Sequence, residues 1–227
     1  MIAFRISRGT IAVTVASALV SFAAIAQPAP GDLDQGIRRL QNEWAIAQYK
    51  TPVNQRVERF EALSNEAHRL TTRYAARPEP HTWEGIILSS WAAAKGGLGA
   101  LSLAKRAKAE YETAIRIDSN SLDGSAVNSL GVLYYKVPGW PVGFGDNKKA
   151  ETLLRQALAI NPDGIDPNFF YGDFLAYRNR KSEAIPYLEK ALKAPSRPGR
   201  EVADEGRRDE ARTLLKKIRS ETSAAPA

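Results

Sequence analysis

Apolar side chains recur at helical spacing over most of the chain. In residues 32–49, Ile37, Leu40, Trp44 and Ala47 share one face. In residues 53–76, Val57, Phe60, Leu63, Ala67, Leu70 and Tyr74 do the same. Each stretch predicts an amphipathic helix. Arg77-Pro78-Glu79-Pro80 stops the second, because proline lacks the N–H a continuing helix needs. Residues 201–220 predict another amphipathic helix with a highly charged outer face, set off by a Pro- and Gly-bearing hinge at 194–199. No run demands a strand.

Between these lies a pattern with a fixed period. Residues 148–162 read KKAETLLRQALAINP, and 182–196, 34 residues on, read SEAIPYLEKALKAPS. Ala150, Leu154, Ala157 and Leu158 align with Ala184, Leu188, Ala191 and Leu192. An earlier copy at 105–120 has Ala107, Tyr111, Ala114 and Ile115 in the same slots. A partner helix precedes each copy. It carries Leu130-Gly131-Val132-Leu133-Tyr134 in the second and Phe169-Phe170-Tyr171-Gly172 in the third. In the first, Trp91 stands sixteen residues before Ala107, and the twelve-residue step from Gly172 to Ala184, carried back from Ala107, puts Lys95 in the glycine slot. Small residues let two helices approach, and Leu154 or Tyr134 fills the next gap. A single pair cannot bury its apolar face, so pairs must stack.

The second repeat is interrupted. Gly172 precedes Ala184 by twelve residues, whereas Gly131 precedes Ala150 by nineteen. The seven extra residues fall in YYKVPGWPVGFGD, 134–146, which predicts a loop with Asp146 capping the next helix. Trp140 and Phe144 in it line a pocket, plug one end of the groove, or pack on a neighbouring repeat. Insertions of this kind cluster on one face, often the binding face.

Gly131, Tyr134, Ala150, Leu154, Ala157 and Pro162, with Gly172, Leu175, Ala184, Leu188 and Ala191, resemble the tetratricopeptide repeat. The resemblance implies an all-α fold: a helical-hairpin solenoid of about three to four helix pairs over 27–220, with a C-terminal capping helix. It places Asn128, Tyr135, Lys136, Asp166, Phe169, Asp173 and Tyr177 on the inner surface, beside Trp140 and Phe144 of the loop. Aromatic rings among Asn, Asp and Lys suit a peptide or a small amphipathic ligand. The run LGVLYYKVPGWPVGFGD and its continuation to FFYGDFL look more specifically like the T-component of tripartite ATP-independent periplasmic (TRAP) transporters. That family implies a periplasmic protein, association with a substrate-binding protein, and an oligomer such as a trimer. Its lipidation cysteine is missing here, since the chain has no cysteine.

Composition narrows the chemistry. Without cysteine there is no disulfide, thiolate metal site or cysteine nucleophile. Two histidines, His68 on a helix and His81 assigned to a loop, lack a third ligand, so no metal site is expected. Lys95-Gly96-Gly97-Leu98-Gly99 lacks the preceding strand and following GKS or GKT of a phosphate loop, which leaves an inter-helix turn. No Gly-x-Ser-x-Gly elbow occurs, and no carboxylate pair stands out. Neither a catalytic residue nor a cofactor is expected. Arg5 and Arg8 before an apolar run ending at Ala24-Ile25-Ala26 predict a secretory signal peptide over 1–26. Its two arginines and no acids take the formal charge from +7 to +5 on removal. A periplasmic or secreted location follows, with no transmembrane helix in the mature chain and no nucleic-acid partner. Residues 221–227 are expected to be a disordered tail. The function expected is a non-enzymatic scaffold or adaptor for a protein or peptide. The alternative is a carrier of a small hydrophobic or amphipathic ligand near loop 136–146.

Overall fold

A computed structural model describes residues 30–223. The expected signal segment and the last four residues lie outside that range. Among the described residues the chain is all α-helical, with one isolated backbone bridge, Gly139 to Gly145, and no strand. The helices are α1 (Pro30–Tyr49), α2 (Arg56–Arg73), α3 (Pro78–Lys95), α4 (Gly97–Ile117), α5 (Ser121–Lys136), α6 (Asn147–Ile160), α7 (Ile165–Tyr177), α8 (Lys181–Lys193) and α9 (Glu201–Ser223). A single 3₁₀ turn, Val53–Gln55, leads into α2. None of them is long and apolar enough to cross a membrane.

Successive helices pair as hairpins: α1 with α2, α3 with α4, α5 with α6 and α7 with α8. Each pair closes on one glycine. A Cβ at Gly36 would lie 2.8 Å from Leu70 Cδ1, at Gly85 2.5 Å from Tyr111 Cε1, at Gly131 2.9 Å from Leu154 Cγ, and at Gly172 2.8 Å from Leu188 Cγ. Tyr111, Leu154 and Leu188 are the aligned large residues of the three copies. The glycine of the first copy is therefore Gly85 and not position 95, which corrects the slot assigned by spacing. The twelve-residue step misplaces it because α3 and α4 are longer than their counterparts. They turn over at Gly96 and Gly97, with φ of 62° and 61°, a left-handed conformation glycine adopts at little cost.

Two other local expectations change. Pro78 occupies the first turn of α3, where its missing N–H is not needed, so the Pro-Glu-Pro run starts a helix as well as ending one. His81 consequently lies on α3 and not in a loop. α9 continues to Ser223, past the expected end at 220. Asp146 caps α6 as expected, accepting from the backbone N–H groups of Lys148 and Lys149 at 2.9 and 3.1 Å.

The odd-numbered helices also touch in sequence, α1 to α3, α3 to α5, α5 to α7 and α7 to α9. α9 then meets α1 and closes the circuit. Gly206 makes that closure: a Cβ there would sit 2.4 Å from the Tyr49 ring. The face of α9 carrying Ala203, Ala211, Leu215 and Ile218 is buried. The last helix is thus part of the core and shares the inner layer with α1 and α7.

Candidate functional site

The residues expected on the inner surface divide into two groups. Those at the start of α7 are engaged by α9 and the turn before it. Asp166 accepts from Arg197 Nη1 at 2.7 Å and from Arg207 Nε at 2.9 Å. Arg197 also forks onto Asp204 at 2.6 and 2.8 Å, and Asp204 is 1% exposed. Burial alone would raise the Asp166 carboxyl, but the two guanidinium groups outweigh it and hold the pKa below the usual aspartate range. Arg207 lies over the rings of Phe169 and Phe170, at 4.8 and 4.2 Å from their centroids, and pairs with Glu210. Phe169 is therefore covered by a cation of the same chain. Arg200, in the turn before α9, stacks on Trp83 of α3 at 5.0 Å.

The second group gathers at the C-terminal ends of α5 and α7. Tyr135 donates its hydroxyl proton to Asp173 at 2.7 Å, and Lys136 Nζ reaches the same carboxylate at 2.7 Å. Burial pushes the Tyr135 phenol well above its ordinary pKa, and the Asp173 charge adds to the shift. Tyr177 lies against Tyr135 at 5.5 Å between centroids and is 57% exposed. Tyr135, Lys136, Asp173 and Tyr177 thus form one cluster.

Loop 137–146 starts directly after Lys136 and is folded onto the end of its hairpin. Asp146 N–H donates to the Tyr134 carbonyl at 2.8 Å, and Gly145 N–H to the Pro138 carbonyl at 2.9 Å. Phe144 packs edge-on against Tyr134, at 5.9 Å between centroids. Trp140 does the opposite, with 90% of its surface exposed beside Val142 at 66%. The two loop aromatics, considered together from sequence, have different fates.

Two cavities touch the expected residues. One, of about 200 Å³, lies between the starts of α5 and α7 and includes Asn128, Asp166 and Arg197. Asn128 is buried there, and its Oδ1 has no hydrogen-bond partner among the described residues. The other, of about 510 Å³, lies between α1, α7 and α9 and includes Tyr49, Phe169, Asp173 and Gly206. Neither is lined by Trp140 or Phe144. Sequence reasoning missed the α9 wall of the larger cavity, because a highly charged terminal helix reads as a solvated cap. The available signal was Gly206, an isolated glycine within a helical pattern.

Both histidines are tied into the scaffold. His81 bridges Glu110 at 2.6 Å and the Ala75 carbonyl at 2.9 Å, and His68 meets Glu84 at 3.0 Å. Among the described residues, no cluster of three His, Cys, Asp or Glu could hold a metal. Ser102 and Lys105 have a Ser-x-x-Lys spacing, but both are exposed on α4 and line neither cavity. Comparison of the sequence with protein-family models and with curated proteins finds no match.

Proposed function

We propose that this protein is a non-enzymatic periplasmic adaptor that docks a protein partner at the end of the α5 and α7 hairpins. The observation that carries this is Trp140, 90% exposed at the tip of a loop whose backbone is hydrogen-bonded at both sides. Tryptophan is the side chain most enriched among interface anchors, and a preordered loop lowers the entropy cost of docking. Val142 and Tyr177 add apolar area, and Lys136 adds charge at its edge. The inner face is a poorer place for an extended peptide, since α9 already covers Asp166 and Phe169. The resemblance to tetratricopeptide and TRAP T-component proteins supports the same reading and suggests a periplasmic substrate-binding protein as partner.

A photo-crosslinking residue at position 140 or 177 tests it in cells. One partner should be trapped at both positions and not at Lys148 on the exposed face of α6. An absent adduct, or the same adducts at all three positions, would overturn the proposal. An adduct at twice the chain mass would mean that the partner is a second copy.

A further inference from the structure

We propose that the cavity between α1, α7 and α9 binds a small anion carrying two or more acidic groups, phosphate or carboxylate. This stands apart from docking at Trp140 and does not depend on it. The cavity measures about 510 Å³, within the range of small-molecule sites. Three cations from different parts of the chain line it: Lys50 just after α1, Arg56 at the start of α2 and Lys217 on α9. None of them has an ion-pair partner among the described residues. Arg56 uses its Nε to donate to the Thr51 carbonyl at 3.0 Å, which fixes the side chain and leaves its terminal nitrogens available.

The carboxylates on the same walls are already committed. Asp173 is held by Lys136 and Tyr135, Glu205 and Asp209 by Arg212, and Glu210 by Arg207. An anion meets free charge without breaking any of these pairs. The lining thus carries three unpaired cations, while each of its four carboxylates already meets Lys136, Arg207 or Arg212. Three separate free cations match a multiply charged ligand better than a single carboxylate. Phe169, Val202 and Leu214 supply an apolar wall beside these charges.

Calorimetry on the full chain at low salt, about 20 mM where screening is weak, tests the assignment. Inorganic pyrophosphate and citrate serve as probes, with acetate as the singly charged control. Saturable one-to-one binding of either polyanion is expected, with acetate at least tenfold weaker. Arg56→Gln should weaken the polyanion about tenfold, the scale of one charge-assisted contact. Circular dichroism should stay helical. The double change Lys105→Gln with Lys148→Gln removes two exposed cations that do not line the cavity and should leave binding unchanged. Pyrophosphate alone would identify a phosphate ligand, and citrate alone a polycarboxylate. No saturable binding of either probe, or equal loss in the two variants, would overturn the site.

Discussion

The seam where α9 meets α1 and α7 and the loop at 137–146 are built from the same kinds of residue and use them in opposite ways. At the seam, Arg207 is sandwiched against Phe169, Phe170 and Asp166, and Tyr49 presses on Gly206. Arg207 there meets both rings and the carboxylate within the chain. At the loop, Phe144 is used in the same inward way, but Trp140 and Val142 are left facing solvent. Burial of the first set stabilises the fold, and exposure of the second must be justified by something outside it. A substitution at the seam should therefore cost stability and one at the loop tip should not.

Arg207→Ala should have the largest effect. It removes the cover from two aromatic rings and one of two cations from Asp166, and breaking a buried ion pair costs about 3 kcal/mol or more. Urea unfolding followed by circular dichroism measures it. A loss below about 1 kcal/mol would mean that α9 is held by its apolar face alone. Gly206→Val comes next, at about 2 kcal/mol, because the new side chain meets the body of the Tyr49 ring and not a flexible end. If the two variants lose stability independently, their double mutant will be additive. Being adjacent on one helix turn, they should couple instead.

The charge network adds a pH dependence. Asp166 has a folded pKa below that of the unfolded chain, about 3.9. Its contribution is complete above that value and is lost as the pH falls from about 4 toward the folded pKa. The expected loss is on the order of 1 kcal/mol after allowing for solvent contact. Asp166→Asn should flatten the acid limb of stability against pH relative to the parent chain. An unchanged slope would place the acid sensitivity elsewhere.

These contrasts also show what could be read from sequence. The hairpins of α5–α6 and α7–α8 were legible because glycine, alanine and leucine recur at a fixed spacing that packing demands. Gly85 was not, since a ruler set by the commonest helix length fails where a pair is extended by several turns. His81 was missed for a related reason, as Pro78 and Pro80 end one helix and begin the next within the same few residues. Asp166 and Phe169 lie on α7 where α9 packs against it. Their occupant was hidden because pairing between Asp166 and Arg207 spans 41 residues and leaves no periodic trace. Asp173 with Tyr135 illustrates the same limit: both were expected on one surface, but their direct bond follows from the crossing of α5 and α7.

Trp140 marks the smallest expected change in stability and the sharpest separation of the two regions. Trp140→Ala removes a side chain that is 90% exposed, so unfolding stability should stay within about 0.5 kcal/mol. Phe144→Ala, four residues on, strips the edge contact from Tyr134 and should cost about 1 to 2 kcal/mol. Fluorescence separates the same sites in the native state. Of the four tryptophans, Trp44, Trp83 and Trp91 are buried, which leaves Trp140 as the one that iodide can reach. Quenching should be strong in the parent chain and nearly absent in Trp140→Ala. Quenching that persists in that variant would mean that the circuit of helices opens in solution, and the loop would no longer be distinguished from the seam by its exposure.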